Sequence, residues 1–158
     1  MSSRKAEMPR GKGLSRATGL ARTSGLNRAV PMQASRKDSI PLAVRKLVYK
    51  RDAWCCVRCG LFVMGEPHNV HHRIRRSQLG PDSPENLILL CGSGNTTGCH
   101  GWVHGHVKDA QEHGWLLESG SDPAAKGVAY ATEDGGFAVW YLLPDGDRHS
   151  EPPSEVAA

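Results

Sequence analysis

The sequence predicts a small α+β domain built around bound metal, and three observations carry that expectation. Apolar spacing changes from helical to strand-like and back along residues 40–114. All five cysteines and all but one of the eight histidines fall between residues 55 and 113. Finally, 158 residues with 39% hydrophobic and 6% aromatic side chains leave room for one domain with a small core.

The elements follow in order. Residues 1–38 are rich in Gly, Ser, Arg and Lys, with Gly-Leu steps at Gly13, Gly19 and Gly25, and are expected to form a flexible basic arm. Order is expected from Ser39, an N-cap for a helix with Pro41 in its first turn and Leu42, Val44, Leu47 and Val48 on one face. Asp52 and the "CCVRCG" turn end that helix. "EPHNVHHRI" reads as a strand, "RRSQLGPDSPEN" as a loop and "NLILLC" as a buried strand. One helix starting near Cys99 or His100 and carrying Val103, Val107 and Ala110 should run to Gly114. Residues 39–114 thus form the main domain and 115–145 an extension. Within that extension Val128, Tyr130 and the run from Phe137 flank "EDGG" as a β-hairpin, expected either to dock a partner or, the favoured reading, to extend the core through Trp140 and Leu142. Residues 146–158 are expected to be a disordered tail.

Charge and composition narrow the function. Nine basic side chains in residues 1–39 oppose only Glu7 and Asp38, a net of +7. Residues 40–100 carry +4 and residues 101–158 carry −7, so the overall +4 conceals a steep gradient. A basic front half suits a polyanion such as DNA, although a solvated tail would have the same composition. No run of eighteen apolar residues and no signal segment is present, which points to a soluble, cytoplasmic chain with no membrane partner.

In that compartment Cys56-x-x-Cys59-Gly60 reads as metal-binding before disulfide-forming. Two intervening residues let both thiolates face one tetrahedral ion, and the glycine tolerates positive φ. Cys91 and Cys99 would complete a four-cysteine zinc site across the flexible insert "GSGNTTG". Buried inert thiols are the competing reading, and Cys55 is left for packing. His71 and His72 are adjacent on a strand, so they point to opposite faces, and one can ligate while the other reaches across the site. His100 and His104 stand at i, i+4 on one helix face, a spacing that lets both converge on a second ion. Three histidine ligands leave open positions for phosphate and water, and a fourth histidine can accept a proton. Arg73, Arg75 and Arg76 either clamp backbone phosphates or form a solvated loop.

"VHHRI", Asn86 in "ENLILLC" and "CHGWVH" resemble the three signature segments of the HNH endonucleases. The resemblance spans about residues 40–106. It implies a ββα-metal (His-Me finger) core, often with a four-cysteine zinc knuckle laid out like Cys56, Cys59, Cys91 and Cys99. By the same resemblance His71, His100 and His104 hold a catalytic divalent cation (Mg2+, Mn2+, Ni2+ or Zn2+) beside one structural Zn2+. His72 is then the general base, and Asn86 orients the base and the loop. DNA is the implied substrate, cut on one or both strands. The "CGSG…GCHGWVH" form is similar to small HNH proteins of actinobacterial phages, which implies terminase subunits as partners. Relatives often carry a Gly-Gly pair where this loop has one glycine. A zinc-ribbon module that binds nucleic acid or terminase without cutting is the alternative, and it leaves the four histidines without a role.

Overall fold

The computed structural model describes residues 39–153; the basic arm at 1–38 and the end of the expected tail, 154–158, lie outside the described residues. The fold is α+β with two small antiparallel sheets.

Helix α1 (Leu42–Arg51) buries Val48 and Arg51 and ends on Lys50 and Arg51, cations suited to the negative end of the helix dipole. Its N-cap is Pro41 and not Ser39, because Pro41 is itself extended (ψ 137°) and its ring disfavours helical backbone at Ile40 before it. After Asp52, Ala53 and Trp54 take positive φ (50° and 58°) and turn the chain into the cysteine segment. There Gly60 N–H donates to the Cys56 carbonyl (2.8 Å), with φ +73° at the glycine.

Strand β1 (His68–His72) pairs antiparallel with β2 (Leu87–Cys91), placing His71 opposite Ile88 and His72 opposite Leu87. Leu87, Ile88, Leu89 and Leu90 are all fully buried, as a strand covered on both faces requires. The β1–β2 loop holds two short 3-10 turns, Arg76–Gln78 and Pro84–Asn86.

The helix expected to run to Gly114 is two helices, α2 (Gly98–Gly105) and α3 (Val107–Glu112). The break falls at His106 (φ −121°, ψ 61°), next to Gly105, a poor helix former. Ala110 on α3 is fully buried in the core.

Strands β3 (Val128–Ala131) and β4 (Phe137–Leu142) form the expected hairpin. The tail expected to be disordered from 146 instead begins with a third strand, β5 (Arg148–His149), paired with Tyr141 and Leu142. A turn closed by Leu143 N–H to the Asp147 carbonyl (3.0 Å) positions it, and the Arg148 guanidinium lies over Tyr130 and Trp140 (4.6 and 4.7 Å). Polar composition alone signals a tail; the hydrogen bonds and cation–π contacts reverse that.

One core joins all of this: Val48, Val57, Leu87 to Leu90, Val103, Trp115, Val128 and Leu142 pack together, with Trp140 against them. The extension therefore completes the core. A buried polar node crosses it, since Arg51 donates to the Pro84 and Leu87 carbonyls (2.7 and 2.6 Å) and pairs with Asp52 (2.7 Å). Asp52 in turn accepts from Leu89 N–H (3.0 Å) and Tyr130 O–H (2.8 Å), linking α1, β2 and β3. Among the described residues no helix is long and apolar enough to cross a membrane.

Candidate metal centres

Cys56 and Cys59 come from the turn after α1, Cys91 from the end of β2, and Cys99 from the first turn of α2. Their Sγ atoms all lie within 4.8 Å of one another. Cys59 and Cys91 are 3.8 Å apart, far beyond a disulfide bond. An edge of about 3.8 Å is what a tetrahedron of thiolates with metal–sulfur bonds of about 2.3 Å has. The donor set therefore fits one tetrahedral ion. Cys55 stays outside it, its thiol near the Ala53 carbonyl (3.5 Å).

The long insert folds tightly. Gly92 (φ +105°) and Gly98 (φ +60°) meet at its neck, where a Cβ on Gly98 would sit 2.6 Å from the Cys91 carbonyl oxygen. Thr97 Oγ1 also accepts from Ser93 N–H (2.8 Å) and donates to the Ser93 carbonyl (3.0 Å). Cys99 N–H points at the Cys91 sulfur (3.5 Å), and Arg58 Nη1 donates to the Cys99 sulfur (3.4 Å). A hydrogen bond from Cys56, and against burial another from Arg58, pull the Cys99 thiol down to about 5, while Cys56 is pushed up. Arg58 also lies 3.8 Å over the Trp102 ring on α2, so the cysteine turn packs onto the histidine-bearing helix.

The second cluster is His71, His100 and His104, again with ligand atoms within 4.8 Å of one another. The three rings meet edge to face at 5.0, 5.2 and 4.7 Å. His71 is buried (3% exposed), and its Nε2 has no hydrogen-bond partner. The His100 and His104 Nε2 atoms face each other at 3.3 Å, while His100 Nδ1 bonds the Gly94 carbonyl. An orphaned buried nitrogen beside two converging ones is a donor set that could hold a cation. Burial, then the neighbouring imidazoles of His100, His104 and His72, hold His71 well below 6.5, which keeps its lone pair available. Burial, His100 and Arg75 lower His104 as well.

A cleft of about 450 Å3 opens onto this trio, with His72, Arg75 and Arg76 on its walls. A larger groove of about 610 Å3 runs past Asp52, Tyr130, Trp140 and Arg148 but has no histidine, so chemistry and not volume marks the site. Asn86 is fully buried; its Oδ1 accepts from Ile74 N–H (2.7 Å) and its Nδ2 donates to the Ile74 and Pro81 carbonyls (3.2 and 2.9 Å). It thereby ties the loop back on itself. Where a second glycine is absent, Leu79 takes φ +62°, and Gly80 comes so close that a Cβ would overlap the Ile74 carbonyl oxygen.

The three loop arginines part company. Arg73, grouped above with the phosphate contacts, is fully buried, and its guanidinium donates to the carbonyls of Gly114, Glu85, Pro123, Lys126 and Gly127 (2.7–3.2 Å). It cannot reach a phosphate and is a structural clamp. The alternation of β1 continues through it, carrying Arg73 inward with His71. Burial pulls its pKa down to about 9, still cationic at neutral pH. Arg76 is paired with Asp82 (2.8 Å), and Arg75 lines the cleft.

Two contacts were missed in the sequence. Asp82 bonds His72 Nε2 at 2.6 Å, and Arg58 bonds the Cys99 sulfur. Asp82 lies among turn formers and reads as one, and Arg58 is merely the second spacer residue of C-x-x-C. His68 sits against Tyr49 and Trp54, and His106 stacks on Trp102, both away from the trio.

Residues 56–100 match the family model of the HNH endonucleases, from the first cysteine of the cage to the first histidine of α2. Comparison with curated proteins and with solved structures returned no match.

Proposed function

We propose, from the match of residues 56–100 to the HNH endonuclease family model, that the protein is a metal-dependent DNA endonuclease hydrolysing phosphodiester bonds. The carrying observation is the convergence of His71, His100 and His104 at a cleft that His72 also lines. The nuclease unit spans residues 39–114 and is braced by 115–145.

Cys56, Cys59, Cys91 and Cys99 hold a structural Zn2+ and so fix α2 against β2. His71, His100 and His104 hold the catalytic divalent cation, Mg2+, Mn2+, Ni2+ or Zn2+. That cation, when bound, supplies Lewis-acid stabilisation of the charge that develops on phosphate oxygens. His72 accepts the proton of the attacking water, a contribution worth roughly 10²–10⁴ in rate. Asn86 keeps the loop, and with it His72, in place. Arg75 is the stronger phosphate contact, since the Arg76 guanidinium already has a carboxylate partner. The basic arm adds salt-sensitive, sequence-independent attraction to the duplex. In its narrowest form the reading includes assistance to phage packaging beside terminase subunits, which co-purification with a terminase would test.

Supercoiled plasmid incubated with each divalent ion should be nicked by the wild-type protein and at least ~10²-fold more slowly by His72→Ala. Equal rates would remove His72 as the base. No cutting with any ion, together with one tightly held Zn2+ per chain, would instead leave a zinc module that binds without cleaving.

A further inference from the structure

The β1–β2 loop supplies a carboxylate that neither the signature segments nor the turn pattern marked. His72 Nε2 lies 2.6 Å from Asp82 Oδ1, and Arg76 Nη2 lies 2.8 Å from Asp82 Oδ2. The three side chains therefore form a line from the base to the rim of the loop. His72 is nearly enclosed and Asp82 half-buried, with side-chain exposures of 12% and 28%.

We propose that Asp82 is a positioning residue for His72, fixing its ring and tautomer, and that Arg76 holds Asp82 in turn. This rests on the reading of His72 as the general base. An ionised carboxylate only accepts hydrogen bonds, so the hydrogen in the 2.6 Å contact belongs to Nε2. The lone pair is then on Nδ1, and His72 lines the cleft from which a water would be drawn. When Nδ1 takes a proton from water, both nitrogens carry hydrogen and the charge on the ring faces the Asp82 carboxylate. The proton stays on histidine, and the aspartate supplies orientation and charge.

Two further features agree. Although partial burial works the other way, the hydrogen bonds from Arg76 and His72 keep the Asp82 carboxyl below its usual range. The loop is also built to hold Asp82 still: Asn86 Nδ2 grips the carbonyl of Pro81, the residue before it. Arg76, at the outer end of the line, is therefore occupied within the protein, which separates its role from that of Arg75.

The test is single-turnover nicking by Asp82→Asn, His72→Ala and the double variant, with KM measured beside kcat. Asp82→Asn is isosteric, and an unchanged melting temperature and zinc content would show an intact fold. Its side-chain amide can offer N–H to Nε2 and select the wrong tautomer. The expected result is a ~10–100-fold drop in kcat with KM within about twofold, the scale typical of a residue that orients a ligand or base. The double variant should be no slower than His72→Ala, since Asp82 acts only through that ring. An inactive His72→Ala beside a fully active Asp82→Asn would overturn the Asp82 role alone. Additive losses in the double variant would overturn it too, leaving a loop effect independent of the base. A fully active His72→Ala would bring down both the base assignment and the role drawn from it.

Discussion

Individual side chains show how burial decides roles that residue type leaves open. Arg73 and Arg75 are two positions apart, yet one is enclosed by carbonyls and the other faces the cleft. Replacing Arg73 with Met would strand several buried carbonyls, each costing about 1–3 kcal/mol without a donor. Urea unfolding should therefore show a loss of at least ~3 kcal/mol, and Arg73→Lys should recover little, because one ammonium cannot span five acceptors. His71 makes a pH prediction. An unfolded histidine takes up a proton near 6.5, whereas buried His71 stays neutral, so below that pH the unfolded chain binds more protons. The stability that this histidine contributes is complete above about pH 6.5 and is lost as pH falls toward its folded value. Melting temperatures measured from pH 7.5 to 5 without added metal should fall less steeply for His71→Asn than for wild type.

At the scale of elements, α2 links the two candidate centres. Cys99 and His100 are neighbours on its first turn, so the cage that anchors Cys99 also sets the azimuth of His100 and, one turn on, His104. The close neck of the insert makes this possible, and Gly98→Ala tests it. The new methyl would meet the Cys91 carbonyl at 2.6 Å in a left-handed backbone that costs ordinary residues about 1–2 kcal/mol. Reduced zinc content by metal analysis and a lower melting temperature are expected, with cleavage lost in proportion. Chelation should be equally informative. A structural zinc typically contributes ~10–16 kcal/mol of apparent binding energy, so stripping it should unfold the domain in circular dichroism. Under the proposed function, mutating the His71, His100 and His104 cluster instead should abolish cutting and leave the spectrum unchanged.

For the molecule as a whole, residues 115–149 are part of what holds the site. Trp115 and Leu116 are buried in the common core, and Arg73 donates to the Pro123, Lys126 and Gly127 carbonyls. Tyr130 reaches Asp52 across 78 positions of sequence. Tyr130→Phe removes that hydrogen bond and leaves one Asp52 oxygen with fewer donors, a loss of about 1–3 kcal/mol. The midpoint of urea unfolding should move while its slope does not. Truncation after Gly114 should give insoluble or unfolded protein, because the inner faces of β2 and α3 would lose their cover.

The candidate ligand residues and the element order around them are legible from near neighbours along the chain. Thiols at C-x-x-C spacing and imidazoles at i, i+4 express local geometry, and local geometry follows from near neighbours in the chain. The apolar run at 87–90 and the hairpin at 128–142 were legible for the same reason. That Arg73 turns inward, that the second helix breaks at His106, that β5 pairs and that Asp82 meets His72 all emerge from tertiary packing. Each of these depends on a partner six or more residues away or on the shape of the shared core, and periodicity carries no record of such partners.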